Sequence, residues 1–255
     1  MEAIKVENLT AILNGRKILD GISFSAQSGE IVAVIGANGV GKSTLLKCMG
    51  GLLPCDGQIE IFGRNLRDMS AREVALKIAW LHQSTSVDLP YTVMDFVSMS
   101  LFAKRKIFEG ARQGDREIVT QALKMVGASQ MAHRPLNSLS GGERQRVYLA
   151  ATIAQGSEIL FLDEPTSFMD IQNTKQLNFL MKRARNLGQT VIVVTHDINF
   201  ALQISDKILA LKDGRLAKFD RTENFLDLEM LKNIFGADFE FAKTQGGKTI
   251  LSLCY

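Results

Sequence analysis

Short, continuous apolar runs separated by helical patterns recur along the chain. Stretches with helical spacing lie between several of these runs, such as Thr174–Asn186, which Gly188 follows. Continuous apolar strands that alternate with helices are typical of a mostly parallel sheet covered on both faces. The pattern therefore predicts an α/β core with these strands: Ile31–Ile35, Ile78–Leu81, Ile159–Leu162, Val191–Val194 and Ile208–Leu211.

The two ends of the chain depart from this alternation. Ile4–Ser28 and Gly57–Phe62 favour antiparallel strands, with turns at Asn14-Gly15 and Asp56-Gly57. The tail from Thr222 onward is expected to be helical and to finish in a short strand pair around residues 249–253.

The middle of the chain, Thr85–Gly156, has helical patterns such as Arg116–Val126 and Glu143–Ala154 but no convincing strand. We interpret it as a helical subdomain inserted between two strands of the core. The expected organisation is one domain over residues 1–255. Its α/β core, with the antiparallel part, takes residues 1–84 and 157–221, the helical subdomain takes 85–156, and a C-terminal extension takes 222–255.

Composition and charge limit the function. Hydrophobic residues make up 46% and prolines number 4, which is typical of a globular protein with a substantial core. The net charge of +3 is too small to predict a nucleic-acid partner. The apolar runs are far shorter than the ~20 residues that span a bilayer. The N-terminal residues lack the apolar core of a signal peptide. The three cysteines have no metal-type spacing, and an odd number of cysteines suits a reducing compartment. The chain by itself is expected to be cytosolic, so any membrane role requires a partner.

A phosphate-binding loop is predicted at Gly36–Ser43, which fits the pattern G-x-x-x-x-G-K-[ST]. It follows a predicted strand and opens a predicted helix, Ser43–Met49, which distinguishes it from a chance glycine-rich turn. Its glycines allow successive N–H groups to point at an anion, and the helix start adds positive charge. The residues expected to bind the nucleotide here are Gly36, Asn38, Gly39, Gly41, Lys42, Ser43 and Thr44, with Lys42 on the β- and γ-phosphates and Ser43 on Mg²⁺.

An acidic pair ends the predicted strand Ile159–Leu162. Asp163 would hold Mg²⁺ beside the loop, and Glu164 would act as general base toward an attacking water. Alone, such a pair could equally be a surface turn. Its combination with the Lys42 loop favours a nucleotide site.

The segment Leu139–Arg146, which reads LSGGERQR, decides between phosphate-loop families. It resembles the signature sequence of ATP-binding-cassette ATPases, and the resemblance extends over nearly the whole chain. A helix that begins at Gly141 or Gly142 would aim its N–H groups, with the Ser140 hydroxyl, at an anion. In that family the anion is the γ-phosphate held by a second copy. The resemblance implies a RecA-like phosphate-loop NTPase core, ATP and Mg²⁺ as ligands, and a head-to-tail dimer that sandwiches ATP.

Three further residues match the family pattern. Gln83 resembles the glutamine that touches Mg²⁺ or the attacking water and senses the permease. His196, after Val191–Val194, resembles the histidine that contacts the γ-phosphate. Asp170 resembles the aspartate that crosses the dimer interface. Apolar residues after Gln83, with Tyr91 and Phe102 the first choices, are expected to form a groove for a helix of the permease.

Two positions depart from the pattern. Leu13 stands where the family usually has an aromatic residue on adenine, which predicts apolar contact without π-stacking. Ser167–Asp170 reads SFMD where a small residue followed by Ala-Leu-Asp is usual, so the details of dimer closure are expected to differ.

The resemblance is strongest to importer subunits for iron-siderophore, haem or cobalamin, on the segments Pro90–Val97 and Leu231–Asp238. It implies an ATPase at the cytoplasmic face of the cell membrane. Its partners would be polytopic permease subunits and, indirectly, a secreted or periplasmic binding protein. The alternative is an ABC ATPase outside transport, of the iron–sulfur assembly type or associated with DNA or ribosomes.

Overall fold

The computed structural model describes residues 1–81, 90–105, 114–167, 171–243 and 249–253. These residues form twelve strands: β1 (Glu2–Leu13), β2 (Arg16–Gln27), β3 (Ile31–Ile35), β4 (Asp56–Ile61), β5 (Arg64–Asn65), β6 (Ile78–Leu81), β7 (Ile159–Asp163), β8 (Thr190–Val194), β9 (Lys207–Lys212), β10 (Arg215–Arg221), β11 (Phe239–Lys243) and β12 (Thr249–Leu253). They also form eight α-helices: α1 (Lys42–Met49), α2 (Ala71–Lys77), α3 (Val93–Met99), α4 (Asp115–Met125), α5 (Gly141–Gln155), α6 (Ile171–Asn186), α7 (Ile198–Ile204) and α8 (Leu228–Phe235).

The central sheet has six strands in the order β10-β9-β3-β8-β7-β6. The five strands from β9 to β6 run parallel, and β10 pairs antiparallel with β9 at one edge. The five predicted strands are confirmed: β3 and β6 have the predicted bounds, and the others are longer by one or two residues. The α/β class is therefore correct.

Alternate residues of β3 enter two separate cores, because successive side chains of a strand point to opposite faces. Ala33 and Ile35 join a cluster formed with the helices of the middle and late parts of the chain. Val32 and Val34 join a second cluster, which includes α1 and the N-terminal antiparallel sheet. The strand that leads into the phosphate-binding loop is thus fully buried from both sides.

The N-terminal sheet is antiparallel, with strand order β2-β1-β4-β5. The hairpin turn predicted at Asn14-Gly15 is confirmed. The turn predicted at Asp56-Gly57 is wrong, because both residues belong to β4. Gly57 has φ 93°, and a Cβ there would lie 2.5 Å from backbone oxygens of β1, where the register with β4 shifts. The glycine signal therefore marks a bulge rather than a turn.

The middle of the chain is helical, as expected. The predicted helices Arg116–Val126 and Glu143–Ala154 correspond to α4 and α5, and α3 and α4 both pack on α5. Side chains of α5 attach it to the edge of the central sheet: Thr152 Oγ1 donates to the carbonyl oxygen of Trp80 at 3.2 Å. The division of the chain into core, helical subdomain and extension stays a prediction.

The indole ring of Trp80 in β6 packs at the junction of several elements. It contacts the ring of Phe161 in β7 edge-on, with centroids 5.1 Å apart. On another side it lies against Gly50, at the end of α1, where an added Cβ would come within 2.3 Å of the indole. The Trp80 ring therefore connects the end of α1 with β6 and β7, the two strands at one edge of the central sheet.

The tail contains α8 and the antiparallel pair β11–β12, so the predicted strand pair is confirmed. Asn199 of α7 joins this pair to the rest of the chain. Its side-chain amide donates to the carbonyl oxygen of Leu251 and accepts from the N–H of Leu251, both at 2.9 Å.

Candidate functional site

The predicted phosphate-binding loop connects β3 to α1, which begins at Lys42, one residue before the predicted start. Gly41, immediately before the helix, has φ 107°. A Cβ there would also lie 2.7 Å from Leu19 Cδ2. Only glycine takes this conformation without strain, so the second glycine of the motif is required for the curl of the loop.

Lys42 is buried inside this loop, with 6% of the residue exposed. Its ammonium group donates to the carbonyl oxygens of Gly36 at 2.8 Å and Ala37 at 3.0 Å. Burial lowers the pKa of Lys42, while the carboxylates of Glu164 and Asp163 act in the opposite direction. The loop thus holds a cation that its own backbone stabilises and that an anionic ligand can engage.

Ser43 and Asp163 meet although they are 120 positions apart, with Ser43 Oγ donating to Asp163 Oδ1 at 2.9 Å. Asp163 is the last residue of β7 and is 5% exposed. A hydroxyl and a carboxylate are hard oxygen donors of the kind that Mg²⁺ prefers, and Mg²⁺ on a nucleotide needs only one or two protein ligands. Within the described ranges, no group of three or more His, Cys, Asp or Glu side chains could hold a metal. The pair therefore fits a phosphate-bound Mg²⁺ and not a metal cage made of protein alone.

Glu164 and His196 form a second long-range contact, with Nδ1 of His196 2.7 Å from Oε2 of Glu164. Glu164 is 8% exposed and has φ 49°, a left-handed conformation that costs free energy in a non-glycine residue. Its N–H donates to the carbonyl oxygen of Val194 at 3.0 Å, which ties the end of β7 to the end of β8. His196 follows β8 and has an exposed ring.

One cavity of about 510 Å³ joins most of the predicted site residues. Gly36 does not line it, but the carbonyl oxygen of Gly36 accepts a hydrogen bond from the Lys42 ammonium group. Ile18 and Ser167 also line it and were not predicted as site residues. Ile18 lies on the strand that pairs with the strand of Leu13, and Ser167 lies three residues after Glu164. The cavity is lined by Leu13, Ile18, Asn38, Gly39, Gly41, Lys42, Ser43, Thr44, Glu164, Ser167 and His196. Gln83 and Asp170 lie outside the described residues.

The LSGGERQR segment is not part of this cavity. Ser140 is the N-cap of α5, which begins at Gly141 as expected. Its hydroxyl accepts from Glu143 N–H at 3.3 Å, and Glu143 Oε2 accepts from Ser140 N–H at 2.9 Å, which is a capping box. Hydrogen bonds from Ser140 and from Arg134 lower the pKa of Glu143. Ser140 and Gly141 are exposed and Gly142 is half-buried, so this helix start faces outward from its own chain's loop.

Comparison with known families gives one match, to the family described as ABC transporter, over residues 19–167. The match covers more than half of the chain. It includes the phosphate-binding loop, the Asp163–Glu164 pair and the LSGGERQR segment.

Curated relatives extend the likeness over almost the full length. The iron(3+)-hydroxamate import ATP-binding protein FhuC of Bacillus subtilis is 34% identical over 242 residues, which cover 94% of this chain and 90% of FhuC. The hemin import ATP-binding protein HmuV of Deinococcus radiodurans is 37% identical over 241 residues, which cover 92% of this chain and 90% of HmuV.

Two solved structures share the fold. A transporter assigned to the metal-chelate type, in an inward-facing conformation, superposes with a TM-score of 0.86 at 30% identity and covers 100% of this chain and 98% of its own. The dimeric structure of the bacterial ABC transporter cassette MJ0796 has a TM-score of 0.77 at 30% identity and covers 86% of this chain and 98% of its own. Within the described ranges, no helix has the length and apolar character needed to cross a membrane. The chain therefore belongs to the ABC transporter family, as one of its ATP-hydrolysing nucleotide-binding cassettes.

Proposed function

We propose that this cassette powers an importer whose cargo is a metal chelate, such as an iron-siderophore or haem. The observation that carries the proposal is the near full-length identity to import ATP-binding proteins for iron-hydroxamate and hemin. The likeness to a metal-chelate-type transporter over the whole chain supports the same class. Cobalamin as the cargo is expected only from the sequence resemblance. The non-transport alternative has no such support.

ATP binds with its phosphates on the loop Gly36–Ser43. The Lys42 ammonium group exchanges its two backbone carbonyls for β- and γ-phosphate oxygens, which are stronger, charge-assisted acceptors. Thr44 and the N-terminus of α1 contribute further donors to the phosphates. Leu13 and Ile18 offer the adenine an apolar surface in the same cavity.

Ser43 Oγ and Asp163 would hold a Mg²⁺ ion bound to the nucleotide, with Gln83 as the third proposed ligand. The support is the 2.9 Å contact between the first two side chains, which already gathers two oxygen donors beside the loop. When bound, the ion neutralises charge on the β- and γ-phosphates.

Glu164 orients and deprotonates the attacking water as general base. Its carboxylate is nearly buried and lines the phosphate cavity, where a water could reach both it and a γ-phosphate. His196 fixes one oxygen of this carboxylate at 2.7 Å and contacts the γ-phosphate with its exposed edge. Among the described residues, the hydrogen bond to this carboxylate comes from His196, which leaves the second oxygen to the water.

The complete site contains two copies of the chain, arranged head-to-tail. Ser140, Gly141 and Gly142 are outward-facing and absent from the cavity of their own chain, which is the geometry required of donors to a partner's γ-phosphate. Asp170 would cross the same interface. A dimeric relative supports the dimer itself.

Mixing two inactive variants tests this arrangement. Lys42→Ala disables the loop and Ser140→Arg blocks the signature, so a heterodimer of the two contains one intact composite site. Hydrolysis should appear on mixing and depend on protomer concentration. Full hydrolysis by an enforced monomer would refute the shared site.

The chain binds polytopic permease subunits from the cytoplasmic face of the cell membrane. A secreted or periplasmic binding protein, an indirect partner, delivers the chelate to those subunits. Reconstitution tests the cargo: the cassette is combined in proteoliposomes with the permease that co-purifies with it and with the binding protein of that permease. ATP-dependent uptake of a ferric siderophore or haem, abolished by Glu164→Gln, is the expected result. Co-purification of the chain in a complex without membrane protein would contradict the transport function.

A further inference from the structure

The turn of residues 164–167, here named the base turn, carries Glu164 directly after β7. Among the described residues, three hydrogen bonds hold its backbone. The Glu164 N–H donates to the carbonyl oxygen of Val194 at 3.0 Å, and the Ser167 N–H donates to the carbonyl oxygen of Glu164 at 3.1 Å. The third bond comes from the helical part of the chain, since Gln145 Nε2 in α5 donates to the carbonyl oxygen of Pro165 at 3.3 Å.

The contact between Gln145 and Pro165 is buried. Gln145 is 2% exposed, and Pro165 is buried as well. A buried carbonyl oxygen that loses its hydrogen bond destabilises the conformation that buries it. The neighbouring Glu164 already has the left-handed φ of 49°, which persists only where surrounding groups hold the backbone in place. Gln145 therefore helps to hold the general base in its strained conformation, from outside the described lining of the nucleotide cavity.

The position of Gln145 in α5 also places it close to the signature residues. Gln145 follows the N-cap residue Ser140 by five positions, or about 7 Å along the axis at 1.5 Å per residue. At the other end of the helix, Gln155 Nε2 donates to the carbonyl oxygens of Ala75 at 2.7 Å and Ile78 at 3.0 Å. Both glutamines thus attach α5 to neighbouring backbone, but Gln145 does so at the turn that carries Glu164.

We propose that Gln145 is a positioning residue for ATP hydrolysis: its hydrogen bond to Pro165 sets the orientation of the Glu164 carboxylate. The proposal rests on the proposed role of Glu164 as general base. The amide of Gln145 does not touch the nucleotide, and its effect on the rate passes through the base turn. Loss of the amide therefore affects the step that needs an oriented carboxylate more than it affects nucleotide binding.

Kinetics of Gln145→Met test this role, because methionine has a similar length and volume but no donor. Turnover should fall about tenfold while the affinity for Mg-ATP changes by less than about twofold, as expected when a reacting group is misplaced. Gln155→Met is the matched control, since it removes the same kind of donor from the other end of α5 and should leave the turnover of the folded protein unchanged. Wild-type turnover in Gln145→Met would overturn the proposal.

Folding of each variant is checked by circular dichroism. If Gln145→Met does not fold, Gln145→Asn gives the same comparison with a smaller disturbance, because it keeps the amide and shortens its reach by one methylene.

Combination with Glu164→Gln shows whether Gln145 acts through the general base. In that background Gln145→Met should lower the residual rate by less than about twofold, because the group that it positions no longer accepts a proton. A further loss as large as in the wild type would overturn the proposal and would leave the role of Glu164 intact. A normal rate in Glu164→Gln alone would disprove the general base, and the role of Gln145 would fall with it.

The mixed dimer of Lys42→Ala and Ser140→Arg chains separates an effect on Glu164 from an effect on the signature residues. Its one intact site takes the loop and Glu164 from the Ser140→Arg chain and the signature residues from the Lys42→Ala chain. Gln145→Met should lower the rate when it is placed in the Ser140→Arg chain. A loss confined to Gln145→Met in the Lys42→Ala chain would mean that Gln145 only supports the signature helix, and would overturn the proposal. If the unmodified mixed dimer is inactive, the shared site fails, and the combination with Glu164→Gln still decides the role of Gln145.

Discussion

His196 Nδ1 lies 2.7 Å from Glu164 Oε2, although 32 positions separate the two residues along the chain. The contact brings together residues that follow β7 and β8, two neighbouring parallel strands. A histidine placed in this way can hold the carboxylate in one orientation while its exposed edge remains free for a ligand.

Replacing Glu164 with Gln should lower ATP turnover by a factor on the order of 10² or more, because the amide cannot accept a proton from water. Binding of Mg-ATP should remain, and a closed dimer should accumulate, measurable by size-exclusion chromatography with ATP. Glu158→Gln serves as a control, since that carboxylate is exposed and pairs with Lys77 away from the cavity. Near-normal hydrolysis in Glu164→Gln would disprove the assignment.

The buried charge of Lys42 should appear in the pH dependence of stability without nucleotide. Burial lowers the pKa of Lys42 from its ordinary value of 10.5, so between the lowered pKa and 10.5 the unfolded chain binds more protons than the folded chain. The free energy of unfolding contributed by this group therefore rises with pH across that window and is constant below it.

Urea denaturation of the wild type and of Lys42→Met, from about pH 8 to about pH 11, measures this effect. The free energy of unfolding of the wild type minus that of Lys42→Met should grow as pH increases. The contributions of the other titratable groups, which both proteins share, cancel in this difference. Lys42→Met should also lose binding of Mg-ATP. A difference that is flat or that falls with pH would contradict the direction of the pKa change.

Leu13→Tyr should tighten ATP binding by about fivefold, since an aromatic contact is worth roughly 1 kcal/mol beyond area burial. The wild type should discriminate poorly between ATP and GTP. Ile12→Tyr is a matched control, because Ile12 is the neighbouring residue, is 54% exposed and does not line the cavity. Titration with a fluorescent nucleotide measures both variants; equal or weaker binding by Leu13→Tyr would mean that another residue holds the base.

Ser140→Ala should lower stability by about 1 kcal/mol through loss of the N-cap of α5, and should also lower ATP hydrolysis. Thr92→Ala is the control, because Thr92 forms the equivalent capping box of α3 and has no proposed role at the nucleotide. It should destabilise by a similar amount and leave the ATPase rate of the folded protein unchanged. If the two variants lose the same activity at a temperature where both are folded, Ser140 acts only as a cap.

Phe102→Ser should abolish permease binding and transport while sparing the basal ATPase of the isolated subunit. Phe102 is 59% exposed and Tyr91 39% exposed, as a docking surface requires, whereas Val93 and Val97 are fully buried and belong to the core. Phe179→Ser, at a residue 63% exposed on α6, is the control for loss of any large apolar surface group. Normal transport by Phe102→Ser and Tyr91→Ser would place the groove elsewhere.

Local sequence was sufficient for features that neighbouring residues determine. The five parallel strands of the central sheet, the loop before α1 and the start of α5 at Gly141 depend on short patterns of apolar residues and glycines, and each was predicted. Gly57 was misassigned because a glycine that permits a bulge gives the same signal as one that permits a turn.

Short sequence patterns did not predict the contacts between distant segments of the chain. The left-handed backbone of Glu164 and its pairing with His196 follow from how β7 and β8 lie side by side in the sheet. Ile18 enters the cavity because β2 returns beside Leu13, which no local spacing indicates.

The position of Trp80 makes it an intrinsic fluorescence probe of the packing between several elements. Trp80 is the one tryptophan in the sequence, its ring touches the end of α1 and β7, and its carbonyl oxygen accepts a hydrogen bond from α5. Its emission therefore changes when any of these three neighbours separates from β6. Fluorescence during denaturation, compared with circular dichroism of the helices, distinguishes one cooperative transition from early detachment of the helical middle of the chain, without any added label.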